Sequence, residues 1–92
     1  MKEISKTQAI QFKITAATKR VVDNVIIGMT REEVIEVAGE PRAVANGDLN
    51  YGNVWVVFEY RLVGCVVEAK DYPVLYGCQY FKKQLRVNTG RK

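Results

Sequence analysis

The chain has 92 residues, 48% of them hydrophobic and nine aromatic, enough for one ordered core and too few for several domains. Its net charge is +4, its pI is near 9.2, and it contains two cysteines and no histidine. That composition excludes global disorder, a nucleophile paired with histidine, and a cysteine-rich zinc site within one chain.

Residues 9–15, AIQFKIT, alternate Ile10, Phe12 and Ile14 with Gln11, Lys13 and Thr15. Period two reads as a short strand, with a helix starting near Lys6 as the competing reading. From Thr15 onward Ala17, Val21, Val22, Val25 and Ile26 recur at helical spacing and predict a first helix over 16–26. Thr30 is a strong N-cap: with Glu33 it forms a T-x-x-E capping box, and Glu32 adds negative charge at the positive helix end. Val34, Val37 and Ala38 give the buried stripe, Gly39 supplies a left-handed C-cap, and Pro41 forbids continuation. A helix of about two turns is unstable alone, so packing must hold it.

Residues 42–52 read as a loop around the turn Asn46-Gly47-Asp48. Then come NVWVVFE (53–59), a tight Tyr60-Arg61 connection, LVGCVVEA (62–69), the Asp71-Tyr72-Pro73 turn, and VLYGCQYF (74–81). These predict an antiparallel meander, and the whole order (β)ααβββ predicts an α+β two-layer sandwich with two short helices on a three-stranded antiparallel sheet. In that register Val56 and Cys78 both lie opposite Cys65, and Phe58 lies opposite Val63. The helix-covered face would carry Val54, Val56, Phe58, Val63, Cys65, Val67, Tyr76, Cys78 and Tyr80. The outer face would carry Trp55, Val57, Leu62, Val66, Leu75 and Phe81, with Glu59, Glu68 and Gln79, and is apolar for a surface left to solvent.

Residues 82–92, KKQLRVNTGRK, hold Lys82, Lys83, Arg86, Arg91 and Lys92 with no acid, so residues 1–81 are close to neutral. The expected organisation is one domain over 1–81 followed by this basic tail. Such a tail attracts phosphate or anionic surfaces in a salt-sensitive way, or is simply a solvated terminus. No segment approaches the roughly 20 apolar residues that span a bilayer, and the start, MKEISKTQAIQFKI, has no secretory pattern. As it stands the chain reads as cytoplasmic; with an export signal removed it would be periplasmic or associated with the outer membrane.

Candidate chemistry is sparse. Gly28 and Gly39 fit no phosphate-binding spacing, and the capping box already uses the free amides at Thr30. Glu32, Glu33, Glu36 and Glu40 lie along one helix rather than facing each other across a site. Cys65 and Cys78 are open to three readings. They are free buried thiols in a reducing compartment, a cross-strand disulfide in an oxidising one, or redox-active, which the absence of C-x-x-C spacing disfavours. No metal or cofactor site is expected.

The run Val25-Ile26-Ile27-Gly28-Met29-Thr30-Arg31-Glu32-Glu33-Val34, followed by Gly39-Glu40-Pro41, resembles the helical signature of the SmpA/OmlA (BamE-like) lipoprotein family. Tyr51 with Val54-Trp55-Val56-Val57-Phe58 resembles that family's first long strand. The resemblance spans residues 20–68. It implies a two-helix, three-stranded antiparallel domain and a non-catalytic scaffold role in β-barrel assembly at the outer membrane. The chain departs from the family in lacking a lipobox cysteine near its start.

The expected function is therefore a non-enzymatic protein-interaction or scaffold domain. It would bind a partner or a second copy of itself through Trp55, Val57, Val66, Leu75 and Phe81. The rival expectation is nucleic-acid binding through Lys82, Lys83, Arg86, Arg91, Lys92 and nearby aromatic residues.

Overall fold

The computed structural model describes residues 15–80. The strand expected over 9–15, Phe81 and the basic tail 82–92 fall wholly or almost wholly outside them. The chain folds as α1 (Ala16–Asn24), α2 (Arg31–Ala38), β1 (Ala43–Ala45), β2 (Asp48–Asn50), β3 (Val54–Glu59) and β4 (Leu62–Glu68). It is an α+β protein with a four-stranded antiparallel meander, in the order β1-β2-β3-β4.

Local chemistry sets both helices. The Thr15 hydroxyl accepts from the Thr18 amide and starts α1. The capping box of α2 is complete: Glu33 N–H donates to the Thr30 hydroxyl at 3.2 Å, and Thr30 N–H donates to Glu33 Oε1 at 3.0 Å. Helix α2 ends at Gly39, with φ 87° and ψ −175°. That is extended backbone of positive φ rather than the left-handed helical cap expected from sequence, and only glycine adopts it readily. Two distant side chains satisfy carbonyls at this end, Arg20 Nε donating to Ala38 O and the Tyr51 hydroxyl to Gly39 O. Tertiary contacts thus hold the two-turn helix, whose Val34 and Ala38 are fully buried with Val21 of α1 and Val25, which follows that helix.

The sheet differs from the expected one in three ways. First, residues 42–52 are not a plain loop. Asn46 and Gly47 have φ of 54° and 83° and make a two-residue turn joining β1 to β2, with Ala45 opposite Asp48. Second, β4 carries a bulge. Phe58 pairs with Val63 as expected, but Val57, not Val56, pairs with Cys65, leaving Gly64 without a partner. One extra residue reverses the faces of everything beyond it. Val66 is therefore buried under the helices beside Val54 and Val56, not on the outer face, whereas Cys65 and Val67 point outward to a second cluster with Val57.

Third, of the segment expected over 74–81, the described residues 74–80 do not supply a third strand of the meander. At its Leu62–Val63 end, the edge of β4 that they would need is taken by the connection between the helices. Gly28 N–H donates to Val63 O at 2.9 Å and Val63 N–H to Met29 O at 2.8 Å, and Thr30 bridges to Leu62. The chain after β4 instead crosses the outer face of the sheet as a strap. It begins and ends in the 3₁₀ turns Ala69–Asp71 and Cys78–Tyr80.

Candidate functional site

The strap and the β3–β4 hairpin tip meet at one end of the sheet's outer face. Tyr72 of the strap lies flat on Trp55 of β3, with ring centroids 4.0 Å apart and planes 8° from parallel. The Tyr72 hydroxyl donates to Asp48 Oδ2 at 2.6 Å, and Asp48 Oδ1 accepts from Phe58 N–H at 2.9 Å. Asp48 is thus buried with both oxygens engaged, at the point where the ladder between β2 and β3 ends. Burial first, then the bond to Asp48, pushes the Tyr72 phenol above its usual pKa.

Beyond Tyr72, Val74 packs against the outer cluster and a disulfide joins Cys78 to Cys65, with Cα atoms 5.6 Å apart. The two cysteines meet because the strap folds back over β4, not because two strands pair. Cys78 N–H also donates to Glu59 Oε2 at 2.7 Å. Gly64 makes the close approach possible: a Cβ on it would lie 3.0 Å from Cys78 Sγ and 3.2 Å from Glu59 Oε1.

At the hairpin tip Tyr60 and Arg61 have φ of 56° and 71°. A two-residue turn with positive φ at both positions favours asparagine and glycine, so a tyrosine and an arginine here are strained. Tyr60 is 97% exposed, and Leu75 and Tyr76 on the strap are 77% and 81% exposed. Tyr60 and Tyr76 stand at the rim of a cleft of about 530 Å³ whose other lining residues are Glu59, Gly77 and Gln79. On the helix side of the hairpin, Arg31 lies over the Phe58 ring, 5.3 Å from its centroid, and donates to Gly47 O.

The expected interaction residues are dispersed by this arrangement. Trp55 is half-buried beneath Tyr72, Val57 is buried in the outer cluster, and Val66 is in the helix-side core. Leu75 is exposed, and Phe81 lies outside the described residues, as do Lys82, Lys83, Arg86, Arg91 and Lys92. Sequence reasoning missed Tyr60, Tyr76 and Glu59. The available signal was Tyr60-Arg61 at a two-residue turn, where the fold alone would favour Asn-Gly.

Among the described residues no group of three acidic, cysteine or histidine side chains is placed to hold a metal. No helix there is long and apolar enough to cross a membrane. Comparisons with family models, with curated proteins and with solved structures find no match to this chain.

Proposed function

We propose that this chain is a small, non-enzymatic protein-interaction domain whose contact surface is the hairpin tip and strap: Tyr60, Leu75 and Tyr76. The observation that carries this reading is their exposure together with the strain at Tyr60. Among the described residues Tyr51, Trp55, Phe58 and Tyr72 are buried or half-buried, whereas Tyr60, Leu75 and Tyr76 stand 97%, 77% and 81% in water, more than the exposed Val44 and Leu62. Aromatic side chains of this kind anchor protein interfaces because they bury much area for few rotatable bonds. A scaffold role of the SmpA/OmlA kind, at the bacterial envelope, is the form of this reading that the sequence resemblance favours.

The test is association of the full chain with a partner or a second copy, followed by light scattering and by site-specific crosslinking from positions 75 and 76. Leu75→Asp and Tyr76→Asp should abolish it while the circular dichroism spectrum stays unchanged. Association that survives both changes counts against the surface. Salt-sensitive retention on single-stranded DNA that disappears on deleting residues 82–92 would move the reading to nucleic-acid binding.

A further inference from the structure

Resting on that reading, we propose that the cleft between Tyr60 and Tyr76 receives a basic side chain, arginine or lysine, from the protein partner. Three features converge. Two exposed phenol rings stand at the rim, and aromatic faces attract cations through their ring quadrupole. Glu59 lines the same cleft, its carboxylate held in place by the Cys78 amide on Oε2 at 2.7 Å. No lysine or arginine among the described residues pairs with Glu59 or lines the cleft.

The covalent frame keeps the cleft formed. The Cys65–Cys78 disulfide fixes the strap end that carries the amide donor, while the antiparallel pair Glu59–Leu62 fixes the other wall. A site assembled before binding loses less ordering entropy when the ligand arrives. The strain at Tyr60 fits the same purpose: its positive φ, 56°, suits the hairpin turn but is unfavourable for a tyrosine, whose ring is left 97% exposed at the tip.

The probe is a short blocked peptide containing two arginines, compared with the same peptide in which neutral citrulline replaces both. Titration of the full chain, followed by amide NMR shifts, should give changes centred on Glu59, Tyr60, Tyr76 and Gly77. Glu59→Gln keeps an oxygen for the Cys78 amide while removing the charge. Tyr60→Gly removes a ring at a backbone position that glycine prefers. Each should weaken the arginine peptide by about fivefold, the equivalent of one exposed cation contact.

Equal binding of the citrulline peptide would overturn the cation assignment and leave the interaction surface standing. Shifts centred elsewhere, no binding, or unchanged affinity in both variants would overturn the site. Movement of the Glu59 and Tyr60 signals on Lys82→Ala or Lys83→Ala without peptide would show that the chain fills its own cleft, overturning a partner's role.

Discussion

Trp55 and Tyr72 form a parallel stacked pair, 4.0 Å between centroids, across the join between sheet and strap. The contact converts an outer sheet face into a second small core of Val57, Cys65, Val67 and Cys78. Tyr72→Ala should cost about 2–3 kcal/mol, combining lost stacking with a partly filled gap. Trp55 fluorescence should shift to the red in the folded state. Tyr72→Phe keeps the stack but leaves Asp48 short of a donor, and should cost about 1–2 kcal/mol in urea unfolding.

The disulfide closes a loop with a sequence separation of 13. Loop-closure entropy for that length predicts a loss of roughly 3 kcal/mol when both cysteines are changed to alanine. The loss should appear as a lower urea midpoint. The helix-side core of Val21, Val34, Val54 and Val66 does not touch the bond, so the far-ultraviolet spectrum should be kept.

Tyr51 is fully buried, and burial, reinforced by the nearby Glu40 charge, pushes its phenol up to about 12 while Arg20 draws it down. The phenol is neutral when folded, so its stabilising contribution is complete below pH 10. It is lost as pH rises to about 12, because the unfolded chain ionises first. Urea unfolding across that window should show falling stability, and ultraviolet titration should show this tyrosine ionising late. Tyr51→Phe leaves Gly39 O without its 2.7 Å donor and should cost about 1–1.5 kcal/mol at neutral pH.

Gly64→Ala tests the close approach of strap and sheet. The new methyl would press on Cys78 Sγ at 3.0 Å, and the disulfide keeps that atom from yielding freely. The expected cost is about 1–3 kcal/mol, with amide shifts concentrated on residues 76–79.

Tyr60→Asn should retain the hairpin and gain up to about 1 kcal/mol, since asparagine accepts positive φ more readily than tyrosine. A stabilised variant with weakened partner binding would separate the tyrosine's contribution to recognition from its cost to the fold. Unchanged binding would remove Tyr60 from the interface.

The features readable from sequence are those decided within a few residues. Thr30 and Glu33 are neighbours on one helical turn, so the capping box is a local event and forms as expected. The Tyr60-Arg61 reversal likewise sits directly between two valine-rich strands that it brings into antiparallel pairing. The Asn46-Gly47 turn was equally local, but its flanking strands have three residues each, too short for alternation to register.

What sequence could not decide is competition between distant segments for the same backbone groups. Residues 28–30 and the segment from 74 both suit the edge of β4; the first holds its Leu62–Val63 end, and the described residues 74–80 run instead as a strap. A single unpaired residue, Gly64, then exchanges Cys65 and Val67 for Val66 between the faces. Pattern alone cannot locate that bulge, because valines stand on both sides of it and either register buries apolar side chains. The helices, the Thr30–Glu33 capping box and the hairpin tip therefore follow from residue types and spacing. The covered outer face, the disulfide that closes over it and the Tyr60–Tyr76 cleft follow from which segment reached the edge of β4.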